Sequence, residues 1–202
     1  MSLNNSLILG FPAFAEMSGE DADSVLAPAR SSRFRKNTVV FSQDEEALHF
    51  FLLLSGHIRV ERTMPEGEQV IVRYINEGEL FGIAVAMGLS RYPANAVAAV
   101  DCIVLTWPNR IWHDLQLRVP SFGANVYQTI GTRLQEAQSR VMEFSTRQVE
   151  QRIAGAVMRL VQQSGRKSED GIEIDFPISR KDIAEMTGTT LHTVSRLMSA
   201  WE

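Results

Sequence analysis

The sequence predicts an α+β protein in three parts: a small β sandwich or barrel, one long helix, and a compact helical unit that closes in a helix-turn-helix. Three observations carry this. Between residues 34 and 107 short β-rich runs alternate with turn signals; from Pro120 apolar residues recur at spacings of three or four; and from Ser179 a capping residue, a glycine and a second capping residue follow in helix-turn-helix order. With 202 residues, 45% of them hydrophobic, the chain can bury one generous core or two modest ones.

The β runs are TVVF, HFFLLL, HIRVER, QVIVRY and AVDCIVLTW, punctuated by SG, MPEGE, NEGE and RYPAN. Short strands with regular turns make a small sandwich or barrel. Pro120 and Ser121 then open a helix in which Phe122, Val126, Ile130, Leu134, Ala137 and Val141 form one apolar stripe. The stripe has two compatible readings. It can cover the barrel, or it can pair with its copy in a second subunit, which makes Phe122, Val126, Ile130, Leu134 and Val141 candidate dimer-interface residues. Two further helices are expected over 147–163 and 180–187; between them SGRKSEDG reads as a loop and IEIDFPI alternates like a short strand.

Ser179 is a good N-cap for the helix RKDIAEM, Gly188 supplies the positive φ of a sharp turn, and Thr189 or Thr190 caps a second helix. On that second helix Leu191, Val194, Met198 and Trp201 share one face, with Leu197 beside them; His192, Ser195, Arg196 and Ser199 share the other. The polar face holds one long cation, short hydrogen-bonding groups and no acid. That suits a surface lying against base edges and phosphates, whereas an ordinary solvated helix more often mixes Glu with Lys.

The formal charge of −4 and pI near 5.6 provide no global attraction to nucleic acid or anionic lipid, and residues 145–202 hold eight Lys or Arg against eight Asp or Glu. Any DNA contact must come from a local surface. The one cysteine, Cys102, excludes an internal disulfide framework, a cysteine-ligated iron–sulfur cluster and a cysteine zinc site, and fits a reducing cytoplasm. No Lys or Arg precedes the N-terminal run LILGFPAFAEM, which is far shorter than the ~20 residues that span a bilayer; no signal peptide or membrane span is read. Catalysis finds no support. His49 and His57 stand eight residues apart rather than in a His-x-His metal pair, and there is no Gly-x-Ser-x-Gly, phosphate-binding glycine loop or HExxH.

A β-rich region with the LLLSGHIRV and INEGELFG turns, a long helix, and then SRKDIAEMTGTTLHTVSRL resembles the CRP/FNR family of bacterial transcription regulators over nearly the whole chain. LHTVSR most resembles its nitric-oxide-responsive NnrR and DNR branch. The resemblance implies a jelly-roll sensor domain of the cyclic-nucleotide-binding type over residues 1–118, a dimerisation helix over 119–144, and a winged helix-turn-helix over 145–202 that lacks most of its wing. It implies a cytoplasmic homodimeric activator that reads a palindromic TTG-like promoter site, works with RNA polymerase and answers to a small-molecule or gas effector. Control of nitrogen-oxide and denitrification genes is the finer expectation. By the same resemblance Arg196 contacts guanine with Ser195 beside it, His192 takes the place of a base-reading glutamate, and Ser179, Arg180, Thr190 and Thr193 hold phosphates. A β-barrel sensor that dimerises and acts through a protein partner without reading DNA is the alternative.

Cyclic-AMP-binding relatives place a ribose-binding Glu and a phosphate-binding Arg-Ser where this chain has Ile83, and Tyr92 with Pro93. A buried phosphate without a cation is costly, so cyclic AMP is not expected. The expected effector pocket is Ile83, Val85, Met87, Tyr92 and Pro93, apolar enough for haem and with no cation counted toward it. His49, His57, His113 and His192 read as surface or structural residues; were one to bind iron, His49 or His57 would be the first to consider.

Overall fold

In the computed structural model, which describes residues 8–169 and 171–201, the β-rich region is two four-stranded antiparallel sheets stacked as a barrel-like domain. One sheet holds β1 (Arg30–Phe34), β8 (Cys102–Pro108), β3 (His49–Ser55) and β6 (Leu80–Phe81) in that spatial order. The other holds β2 (Val39–Phe41), β7 (Asn95–Ala98), β4 (Ile58–Thr63) and β5 (Gln69–Ile75). The unbroken apolar run FFLLL, after the exposed His49, now has a cause: Phe51 and Leu53 point between the sheets, among Phe41, Ile58, Ile75 and Phe81, while Phe50 and Leu52 turn to a second core outside. A strand covered on both faces has no position for a polar residue.

That second core is roofed by helices: α1 (Gly19–Leu26), α2 (Trp112–Arg118) and the start of α3 (Pro120–Thr146). Trp107 anchors it, stacking on Phe50 at 5.3 Å and donating from Nε1 to the Val25 carbonyl at 2.7 Å. Proline at the first position of α3 removes an N–H that would lack a helical partner anyway. Phe122 and Val126 are both 0% exposed within their own chain, in one cluster with Phe14, Phe50 and Trp112, and Ile130 packs at its edge. This corrects the dimer-interface expectation for Phe122 and Val126, which cannot meet a second subunit without leaving the barrel. Beyond Ile130 the stripe runs clear: Leu134 is 58% and Val141 65% exposed.

α4 (Val149–Ser164) opens with a capping box in which Gln148 and Gln151 satisfy each other's backbone N–H groups. A hairpin of β9 (Gly165–Ser168) and β10 (Gly171–Ile174) leads to α5 (Arg180–Thr187) and α6 (Leu191–Trp201), and Ile153, Ile183, Ala184 and Val194 form the core of this unit. A separate apolar joint fixes it to the barrel, Phe176 and Leu160 meeting Ile71, Tyr74 and Ala99. Beside the joint, His57 is buried with Nδ1 3.0 Å from Asn76 Oδ1, Nε2 2.9 Å from Asp175, and its ring stacked on Phe176 at 3.9 Å. His57 is a structural residue with both ring nitrogens engaged.

Some element expectations are corrected. AVDCIVLTW is not one strand, because 99–101 is the turn between β7 and β8. β1, RSSRF, precedes the expected start of the β region; it is an edge strand of mostly exposed residues, so it lacks an apolar signal. Part of the expected loop SGRKSEDG is β9, which is exposed along its length and is held by backbone pairing to β10. Residues 1–7, Asp170 and Glu202 of the expected segments lie outside the described residues. Among the described residues no helix is long and apolar enough to cross a membrane.

Candidate nucleic-acid interface and ligand cavity

The helix-turn-helix is built from local chemistry. Ser179 Oγ accepts from the Asp182 N–H at 3.1 Å, and Asp182 Oδ2 accepts from the Ser179 N–H at 2.7 Å, so each residue caps the other. Gly188 ends α5 at φ +59°, in the left-handed region. Thr190 then caps α6, its Oγ1 accepting from the Thr193 N–H at 3.2 Å and lying 2.9 Å from the Thr193 hydroxyl. Val194 is fully buried and sets the rotation of α6. His192, Arg196 and Ser199 consequently stand exposed, with Ser195 and Thr193 half-buried at the edges of that face. Arg180 is half-buried at the start of α5.

The turn is also in touch with the long helix. A Cβ on Gly188 would sit 3.2 Å from the Phe144 ring, and Arg152 lies over that ring at 5.2 Å while its Nε donates to the Thr187 carbonyl at 3.3 Å. Sequence reasoning missed Phe144 and Arg152. Their part depends on which elements meet, which no local pattern reports.

A cavity of about 280 Å³ opens between the barrel and α3. Ile83, Met87, Tyr92 and Pro93 line it as expected. Val85 does not: it stands on the short turn Ala84–Met87 and packs against the outer core instead. The Tyr92 hydroxyl is spent, donating to the His49 carbonyl at 2.7 Å and accepting from its N–H at 3.1 Å. Gly82, at φ +64°, lets the backbone pass the rings of Phe51 and Phe41, which a Cβ would approach to 2.8 and 3.0 Å.

The expectation of a wall without cations is corrected. Arg62, Arg73, Arg133 and Arg140 all line the cavity, with Glu136. Arg73 bridges Glu79 at 2.6 Å and Glu136 at 3.4 Å; Arg133 donates to the Leu80 carbonyl and Arg140 to that of Val72. Burial, reinforced by the charge of Arg73, pulls the Arg133 guanidinium down to about 10, and its buried Nε has no hydrogen-bond partner. Positions 133, 136 and 140 fall at i, i+3 and i+7, a spacing that marks one helix face and was legible in advance. No histidine or cysteine is among the described lining residues.

Two family models match in the order of the fold: a cyclic nucleotide-binding domain over residues 31–118 and a Crp-like helix-turn-helix domain over residues 151–202. The chain belongs to the CRP/FNR family. This CRP/FNR chain is a DNA-binding transcription regulator, in keeping with its relatives, which are regulators rather than enzymes. It is 27% identical over 191 residues to the cyclic AMP receptor protein of Thermus thermophilus, covering 95% of this chain and 85% of that one. It is 24% identical over 189 residues to the nitrogen fixation regulation protein FixK of Azorhizobium caulinodans, covering 93% and 75%. The structure of FixK2 from Bradyrhizobium japonicum shares the fold with a TM-score of 0.73 at 19% identity, over 85% of this chain and 83% of that one.

Proposed function

We propose that this regulator acts as a homodimer in the cytoplasm, reads a palindromic TTG-like promoter site together with RNA polymerase, and that an effector in the cavity beside α3 biases the spacing of its two recognition helices. The observation that carries the reading is the face of α6, where His192, Arg196 and Ser199 stand exposed directly opposite the buried Val194. A helix so rotated enters a major groove with its polar side toward the bases, and an arginine there matches the paired acceptors of guanine. Ser195 adds a short donor beside it. Thr190 and Thr193 at the N-terminus of α6, and Ser179 and Arg180 at that of α5, lie where helix ends meet phosphates. Acting through a protein partner alone leaves this face unexplained.

The test compares Arg196→Ala with the unaltered protein on an intact palindrome and on one with its guanines replaced. Losing the contact costs ~1–3 kcal/mol at each half-site, so Arg196→Ala should bind both duplexes nearly alike. Full discrimination by the variant would remove this face as the reading surface.

A nitric-oxide-responsive role in denitrification is the finer reading, and the motif LHTVSR supports it. Haem in this cavity would meet no histidine or cysteine among its described lining residues, and both ring nitrogens of His57 are engaged elsewhere. Cyclic AMP lacks its ribose acceptor, since Ile83 is buried and apolar and the Tyr92 hydroxyl is taken by His49.

A further inference from the structure

We propose that the cavity between the barrel and α3 takes a small monocarboxylate, one acid group on an otherwise apolar aliphatic or aromatic body. This rests on the reading of that cavity as the effector site and names the chemistry of its occupant.

The walls set the body of the ligand. Phe41, Ile75, Phe81, Ile83 and Met87 supply apolar surface, and no serine, threonine, asparagine or glutamine is among the described lining residues. A sugar or nucleobase would bury hydroxyls and ring-edge donors with few partners, a cost of the kind that polar groups in apolar surroundings incur. Glu136 is the one acceptor side chain on the wall not already committed to a backbone, and it is paired with Arg73.

The charged part of the wall sets the head group. Arg133 and Arg140 from α3 and Arg62 and Arg73 from β4 and β5 line it against Glu136, with Glu79 pairing Arg73, which leaves an excess of positive charge next to an apolar space. Arg133 is the decisive one: Nη2 is engaged with the Leu80 carbonyl and lies 3.6 Å from Glu79, whereas the buried Nε–H has no acceptor. Buried donors are nearly always satisfied, so a lining side chain with an orphan donor leaves a place for an acceptor from outside the chain, which reaches this closed-off N–H by a turn of the guanidinium. A carboxylate oxygen there makes a charge-assisted bond and offsets the burial and the Arg73 charge that depress the Arg133 guanidinium. Among the described lining residues Arg133 alone has a buried donor without an acceptor, and one acid group satisfies it.

The experiment is calorimetric titration of the chain with hexanoate and benzoate, beside hexanamide, benzamide, hexylamine and cyclic AMP. Both acids are expected to bind, and the amides and the amine to bind at least about tenfold more weakly. Arg133→Met should lose at least about tenfold for the acids, with circular dichroism checking the fold; Arg133→Lys keeps the charge without the Nε–H and should recover only part of the loss. Should Arg133→Met fail to fold, the acid and amide pairs on the unaltered protein still decide. Absence of acid binding, or equal binding of acid and amide, overturns the proposal, as does undiminished binding by a folded Arg133→Met. Cyclic AMP binding without the acids overturns the ligand class and leaves the effector site standing. Discrimination between DNA duplexes, measured on the same preparation, reports separately on the DNA reading.

Discussion

Gly188 meets two demands at once, a left-handed backbone and a close approach by the Phe144 ring. Gly188→Ala should cost about 1–2 kcal/mol from the backbone alone, read as a lower denaturant midpoint at unchanged slope. Arg133 shows the opposite balance. Its guanidinium is held at about 10, well below the ordinary arginine range, so the folded state disfavours the cation. The unfolded chain binds that proton more tightly; stability contributed here therefore improves as pH rises above about 10 and is depressed at neutral pH. Arg133→Met should raise the melting temperature of the ligand-free protein, measured by calorimetry, while costing ligand affinity. Caps and turn glycines were legible because their chemistry is settled within four residues, which is why Ser179, Gly188 and Thr190 stand where the sequence put them. The cavity arginines were overlooked because an arginine on a helix or a strand reads as solvated until the surface opposite is known.

At the scale of elements, α3 has a single periodicity and two fates. Phe122 and Val126 are consumed by the barrel, while Leu134, Val141 and Phe144 remain on the surface. Spacing identifies a face and cannot name what covers it, so the stripe was readable and its division was not. The dimer proposal accordingly belongs to the exposed half. Leu134→Glu or Val141→Glu should place two like charges at a two-fold contact and give monomers in light scattering. The same substitutions should leave the thermal stability of one subunit's barrel unchanged. Phe122→Glu, by contrast, should unfold the barrel itself. A full-strength dimer from both exposed-half variants would assign assembly to another surface.

Across the whole molecule, the DNA-reading unit is held to the barrel by Phe176 in its apolar joint, by the His57–Asp175 pair and by Arg59, which lies 3.5 Å from Asp182 at the start of α5. Phe176→Ala should remove ~3–5 kcal/mol from this joint; the expected readout is calorimetric unfolding that separates into two transitions, one per unit. A single transition would mean the units stay coupled through the His57–Asp175 and Arg59–Asp182 contacts and through α3 and α4. That second link has a mechanical side. α3 is pinned at Val126 in the outer core against the barrel and touches the helix-turn-helix at Phe144. At about 1.5 Å of rise per residue, some 27 Å of stiff helix separates these points. A tilt of roughly 5° about the pinned end carries the tip by about 2 Å. In the proposed dimer the displacements of the two subunits would add, so a ligand that nudges the wall at Arg133, about 10 Å from the fulcrum, would have its effect read out, enlarged, at the far end of a lever.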